Sequence, residues 1–238
     1  MNIGLIGYGK MGKAIEEIAL QRGHSIAFRI DVSNQSDLNI ENLTKVDVAI
    51  EFTGPETALK NVLTCMRAGT PLVGGSTGWL QHLKEAQEAC TKHNAALLVS
   101  SNFSIGVTIF FEINKHLAAL MEKQSNYKIE LEEIHHTQKL DAPSGTAITL
   151  AEQILEKISR KKNWVNHSSP LAEELSIISK RIDPAAGTHI VSYKSEIDDI
   201  AIIHTAHNRK GFATGAVLAA EFLAGKKGIF TINDVLGL

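Results

Sequence analysis

The stretch IGLIGYGKMGKAIEEIALQRG, residues 3–23, decides the fold. Ile3 to Ile6 is a short apolar run that reads as a strand. Met11, Ala14, Ile15, Ile18 and Ala19 then recur at the spacing of one helical face, which stops before Gly23. Between strand and helix lie Gly7, Tyr8, Gly9, Lys10, Met11 and Gly12, a G-x-G-x-x-G pattern. In such a loop the first glycine makes the tight turn and the second lets the backbone approach a pyrophosphate. The third lets helix and strand pack closely. The free N–H groups and the positive dipole end of the helix then face the anion. Asp31 closes the next apolar run, Ser25 to Ile30, 19 residues after Gly12, where a carboxylate would hold ribose hydroxyls. The opening therefore reads as a dinucleotide-binding unit.

The same alternation continues outward. Strands are expected at Val46 to Phe52, Pro71 to Val73 and Ala96 to Val99. Helices carry Leu59, Val62, Leu63 and Met66, and then Leu80 to Lys92. Alternating strands and helices imply right-handed crossovers and a parallel sheet covered on both faces. The polar stretch from Val32 to Lys45 holds only a weak helical pattern and reads as an irregular crossover. Phe52-Thr53-Gly54, then Gly74, Gly75, Ser76, Thr77 and Gly78, then Ser100, Ser101, Asn102 and Phe103, each follow a strand. The carboxyl ends of parallel strands line the crevice where ligands sit.

After Asn102 the pattern changes. A helix with Val107, Phe110, Ile113, Leu117 and Leu120 leads to a strand, Lys128 to Ile134, with Ile129 and Leu131 on one face. A second helix carries Ile148, Ala151, Ile154 and Leu155. A polar loop, RKKNWVNHSSP, precedes three strand-like runs at Leu175 to Ile182, His189 to Tyr193 and Ile200 to Thr205. Clustered strands of this kind imply an α+β domain with a mixed sheet. The class is therefore α/β: a Rossmann-like parallel-sheet dinucleotide domain plus an α+β substrate and oligomerisation domain. The expected limits are 1–104 with 210–238 for the first and 105–209 for the second.

Composition narrows the function. The 238 residues carry a formal net charge of -2, which argues against a nucleic-acid binder. No run approaches the length of a membrane span and the N-terminus lacks a signal-peptide pattern, so a cytoplasmic protein is expected. Cys65 and Cys90 form no C-x-x-C pair and read as free buried thiols rather than zinc ligands or a disulfide.

Residues 133–147, EIHHTQKLDAPSGTA, collect two imidazoles, an ammonium and a small-residue helix entrance. Ser144, Gly145 and Thr146 stand where unpaired N–H groups bind anions, and Ser144 also suits an N-cap. His136 and Lys139 add donors and positive charge for a substrate with carboxylates. His135 or Lys139 can deliver a proton, because environment moves either group toward neutrality. Adjacent histidines on a strand end point in opposite directions, so no metal site is expected.

The motif His135-His136-x-x-Lys139-x-Asp141-Ala142-Pro143-Ser144-Gly145-Thr146-Ala147 resembles the signature of the 4-hydroxy-tetrahydrodipicolinate reductase family, which serves the diaminopimelate route to lysine. The resemblance extends over the chain, through the glycine loop, Glu51-Phe52-Thr53, Gly75 to Gly78, Asn102 to Gly106, and Arg209 through Ala216. It implies a homotetramer that uses NADH or NADPH to reduce a small cyclic dicarboxylate with loss of water. It also implies that His135 is the proton donor or acceptor and Lys139 the proton donor. By the same resemblance His136, Ser144, Gly145 and Thr146 are substrate ligands. Gly7 to Gly12, Asp31, Gly75, Ser76, Thr77 and Ser100, Ser101, Asn102 and Phe103 are cofactor contacts. Members that favour NADPH often place Arg directly after the ribose-binding acid. Here Val32 stands there, so NADH is the favoured cofactor. A related amino-acid dehydrogenase and a dinucleotide-sensing protein without turnover are the competing readings.

Overall fold

The computed structural model describes residues 1–208 and 210–238. In chain order the elements are β1 (Asn2–Ile6), α1 (Lys10–Gln21), β2 (Ser25–Ile30), α2 (Ile40–Leu43), β3 (Val48–Glu51), α3 (Pro55–Ala68), β4 (Leu72–Gly74), α4 (Leu83–Lys92) and β5 (Ala96–Val99). Next come α5 (Ile105–Met121), β6 (Lys128–His135), α6 (Gly145–Lys157), β7 (Asn163–Val165), β8 (Glu174–Arg181), β9 (Gly187–Lys194) and β10 (Asp199–Ala206). The chain closes with α7 (Lys210–Leu223), β11 (Gly228–Phe230) and α8 (Ile232–Leu236). Two compact units result: Met1–Ile105 with Lys210–Leu238, and Gly106–Arg209.

The first unit is built on a six-stranded sheet in the order β11-β5-β4-β3-β1-β2, parallel at every pairing. Its inner strands are apolar along their length because both faces are covered. One face packs Ile3, Leu5, Val48 and Ile50 against Ile15 and Ala19 of α1 and Ala216, Val217 and Ala220 of α7. The other packs Ile6, Ala49 and Leu72 against Val62 and Met66 of α3 and Ala86 of α4. Cys65 and Cys90 are buried free thiols in this second layer. Burial pushes both thiols up from their ordinary value, so neither is a thiolate at neutral pH.

Chain order reverses at β1, with β2 on one side and β3 on the other. That reversal opens a crevice at the carboxyl ends of the strands. The stretch after Asp31 is a 3-10 segment, Val32–Asp37, broken at Asn34, and the one-turn α2 follows it. β11 has no counterpart in the sequence reading. It is three residues long, pairs at the sheet edge with β5 and stays largely exposed, so it carries no burial pattern.

The second unit holds a five-stranded mixed sheet, β10-β9-β6-β8-β7. β9 runs antiparallel to β6 and β10, while β8 runs parallel to β6 and β7. Strand β7 lies inside the expected polar loop. Its sequence, Asn163-Trp164-Val165, is too short to alternate, and parallel pairing with β8 makes it a strand. Along β6 the residues alternate strictly, with Ile129, Leu131, Glu133 and His135 on the buried face. Ile129 and Leu131 join Leu150, Ile154, Val191 and Tyr193 in the core. The same face then ends on Glu133 and His135, where the apolar core gives way to a polar cluster.

Candidate active site

In the first unit a cavity of about 590 Å3 opens at the carboxyl ends of β1, β2 and β3. Gly7, Tyr8, Gly9 and Asp31 line it, together with Val32, Thr53, Gly54, Lys60 and Asn61. Gly7 turns the chain with φ of 95°, and a Cβ there would lie 2.1 Å from the Phe52 carbonyl oxygen. A Cβ on Gly12 would lie 2.2 Å from the Gly7 carbonyl oxygen, so the third glycine sets the approach of α1 to the turn. A Cβ on Gly9 would meet nothing within 4 Å. The N-cap residue of α1 is Gly9, which has no side chain to cap the first turn, so the N–H groups there are open to a ligand. A turn, an open backbone approach and an uncapped helix end together fit a pyrophosphate.

The Asp31 carboxylate caps the segment after β2, with Oδ1 2.7 Å from the Val32 nitrogen. Lys10, Met11 and Gly12 belong to the first turns of α1 and do not line the cavity. Gly75, Ser76, Thr77, Ser100, Ser101, Asn102 and Phe103 also lie outside its lining. Ser76 is buried, and its hydroxyl donates to Glu51 Oε1 at 2.9 Å while accepting from the Thr53 nitrogen at 2.8 Å. Glu51 Oε1 also accepts from the Thr53 nitrogen and hydroxyl. Glu51 therefore stitches the β3 and β4 loops together. Burial holds its carboxyl above the ordinary range, against the hydrogen bonds of Thr53 and Ser76. Phe103 is buried, its ring 5.7 Å from that of Phe52, so its side chain acts as core. Asn102 Oδ1 accepts from the Ser104 nitrogen at 2.8 Å.

In the second unit the polar end of β6 forms one connected cluster. His135 Nδ1 lies 3.2 Å from Glu133 Oε2, an ion-pair distance without hydrogen-bond alignment. The Ser144 nitrogen donates to both Glu133 oxygens at 3.1 Å, and Arg181 Nη2 donates to Oε1 at 3.1 Å. Arg181 Nη2 also donates to the Asp141 carbonyl at 2.7 Å, which ties the motif loop to β8. His189 faces Glu133 across the β6–β9 pairing, and its ring stands edge-on to His135 at 5.2 Å. His189 Nε2 shares a hydrogen bond with Ser144 Oγ at 3.1 Å. The Ser144 hydroxyl accepts from the Ala147 nitrogen and caps α6.

Burial works against the Glu133 charge, but His135, Ser144, Ser179 and Arg181 outweigh it and hold the carboxyl well below its ordinary value. His189 goes the other way. Burial first, then the neighbouring His135, pushes it from 6.5 down to about 4, so it is neutral at pH 7. Potential ligand atoms of Glu133, His135 and His189 lie within 4.8 Å of one another. Both Glu133 oxygens already accept from Ser144, and one also takes the Arg181 guanidinium.

The remaining motif residues surround this cluster. Lys139 Nζ pairs with both Asp141 oxygens at 2.8 Å. His136 is half-buried, and Thr137 beside it donates twice to Asp183. Gly145 and Thr146 form the first turn of α6 beyond the capping hydroxyl. A Cβ on Gly145 would meet nothing within 4 Å, so the helix entrance is open. Arg209 lies outside the described residues. Glu133, Arg181 and His189 were missed by the sequence reading. For Glu133 a signal existed, because it stands two and four residues past Leu131 and Ile129 on their buried face. Arg181 and His189 are reached only through strand register.

Comparison with known proteins gives concordant results. Residues 1–103 match the family model "Dihydrodipicolinate reductase, N-terminus" and residues 106–236 match "Dihydrodipicolinate reductase, C-terminus". A 4-hydroxy-tetrahydrodipicolinate reductase of Christiangramia forsetii is 50% identical, with 99% of this chain and 98% of that protein covered. Another, from Methanosarcina mazei, is 34% identical over 97% of this chain and 87% of its own length. A dipicolinate-bound dihydrodipicolinate reductase from Paenisporosarcina sp. TG-14 shares the fold, with a TM-score of 0.74, 23% identity and 97% of each chain covered.

Proposed function

We propose a function for a chain that belongs to the dihydrodipicolinate reductase family: the NAD(P)H-dependent reduction of 4-hydroxy-tetrahydrodipicolinate to tetrahydrodipicolinate, with loss of water, in the diaminopimelate route to lysine. The observation that carries the site assignment is the buried Glu133–His135–His189 cluster beside the open entrance of α6. It sets a proton-transfer group next to an anion-binding helix end, as a dicarboxylate substrate requires. When bound, the reduced nicotinamide supplies the hydride.

The chain's own residues do the rest. Residues 1–104 with 210–238 hold the dinucleotide, and residues 105–209 hold the substrate. The N–H groups of Gly145 and Thr146, the Thr146 hydroxyl and His136 bind carboxylate, with Ser144 fixing the helix entrance. Lys139 contributes an ammonium and a proton, exchanging Asp141 for the substrate. His135 moves a proton at Nε2, because Nδ1 faces Glu133. Gly187 leaves room beside that nitrogen, where a Cβ would lie 3.1 Å away. One hydride and one proton enter and one water leaves, so a single net proton must reach the ring, and His135 and Lys139 are the two groups placed to deliver it. The pool of reduced nucleotide on which the reaction draws points to the cytoplasm.

Cofactor choice follows from Asp31, whose carboxylate suits two ribose hydroxyls and repels a 2′-phosphate. Val32 offers no bidentate partner for that phosphate. With enzymatically generated substrate, kcat/KM for NADH should equal or exceed that for NADPH. A roughly tenfold advantage for NADPH would overturn the preference. Absence of turnover with either nucleotide would overturn the function.

The second unit also supports a homotetramer. On the face of its sheet opposite the core, Ile203, Ile190, Glu132 and Ile178 stand in one row across four strands. Ile203 is 63% exposed, and its strand β10 lies at the sheet edge. Three isoleucines in one row of an open sheet face, interrupted by Glu132, suit a subunit interface. Light scattering should give four copies, and Ile203→Lys should shift the mass downward. A monomer at micromolar concentration would exclude this assembly.

A further inference from the structure

We propose that Glu16 sets cofactor choice by withholding Arg29 from a 2′-phosphate, an inference that rests on the dinucleotide reading of the first unit. Arg29 stands two residues before Asp31, which continues β2 by one residue in extended backbone, so alternation puts the two on the same side. Its guanidinium carbon lies 5.8 Å from the ring centroid of Tyr8, which lines the nucleotide cavity. A guanidinium at this place is the natural partner of a phosphate on the ribose. Here it is taken. Arg29 Nε lies 3.2 and 3.0 Å from the two Glu16 oxygens, and Nη2 also donates to Oε1. The Tyr8 hydroxyl donates to the same carboxylate. Glu16 thus gathers a guanidinium and the phenol of cavity-lining Tyr8, while Glu16 and Arg29 themselves lie outside the lining.

The pair is asymmetric in a useful way. The Glu16 side chain is 13% exposed against 41% for Arg29, so the carboxylate is the anchored member and the guanidinium the accessible one. Hydrogen bonding to Arg29 is the main cause that holds the Glu16 carboxyl below its ordinary range. A 2′-phosphate can take the Nε–Nη2 edge of Arg29 only by breaking this fork. At the remaining Nη1 edge it meets a guanidinium already neutralised by Glu16, with the Asp31 carboxylate two residues away. Both effects oppose the phosphate, and neither touches an unmodified ribose. Glu16 is therefore a specificity-determining residue that acts through Arg29.

The test is binding to the full chain without substrate, with NADH and NADPH as probes read by nicotinamide fluorescence. Glu16→Gln keeps the side-chain size and frees the guanidinium. It should improve the affinity for NADPH relative to NADH by roughly tenfold, the scale of one charge-assisted contact. Adding Arg29→Ala to that variant should remove the gain. A Glu16→Gln ratio within roughly twofold of the wild type would overturn the proposal. So would a gain that persists in the double variant, since removal of a negative charge would then explain it. If wild-type protein bound neither nucleotide, the dinucleotide reading itself would fall.

Discussion

His135→Ala should lower kcat by roughly 10²- to 10⁴-fold, the usual worth of a positioned acid. Hydride arrival leaves electron density that a proton must quench in the transition state. His135 is buried at the end of β6, with Nδ1 turned to Glu133, which leaves Nε2 as the exchanging nitrogen. Its substrate KM should change little, because the proposed role is proton movement more than ground-state binding. Lys139→Ala should differ in kind. Its ammonium pairs with the exposed Asp141 in this structure and is free to exchange that partner for a substrate carboxylate. Loss of Lys139 should therefore lower kcat and raise KM together. NADH binding measured without substrate should survive both changes, since neither residue lies in the glycine loop. Near-normal kcat in both variants would refute the assigned chemistry while leaving the fold untouched.

The largest stability effect should come from Glu133→Ala, at roughly 3–5 kcal/mol near neutral pH, because the change leaves the partners of a buried charge uncompensated. The carboxylate is fully buried and takes the Ser144 nitrogen, Arg181 and the proximity of His135. Its removal takes the carboxylate from the Arg181 guanidinium, which keeps its carbonyl partners, and the acceptor from the N–H that orients the entrance of α6. Chemical denaturation at two pH values adds a signature that mere cavity formation lacks. The Glu133 pKa is lowered in the folded state from its ordinary 4.5. Its contribution is therefore complete above 4.5 and is lost as pH falls from there toward the folded value. The stability gap between wild type and variant should narrow as the solution is acidified below 4.5. A constant gap across that range would mean that Glu133 contributes packing alone.

Much of this was written locally. The apolar runs and glycine spacing of residues 3–23 encode a strand, a turn and a helix within one segment, and the structure forms β1, Gly7 at positive φ and α1 there. The mixed sheet was legible as clustered strands, because alternation on β6 and β9 repeats every two residues. The short strands β7 and β11 were not, since three residues cannot show a period and pairing alone makes them strands.

By itself, then, the sequence determined the parallel sheet, the glycine turn and the run of motif residues from His135 to Thr146, because each depends on neighbours within a few positions. Tertiary structure alone decided which groups surround them. Register across β6, β8 and β9 brings Arg181 and His189 to Glu133 from 48 and 56 positions away, although neither lies in a recognisable motif. Packing of α1 against the glycine loop and β2 places Glu16 against Arg29 and Tyr8. Side-chain partnership is a property of distance, and distance between remote residues is fixed only when strands choose their register and helices their seats.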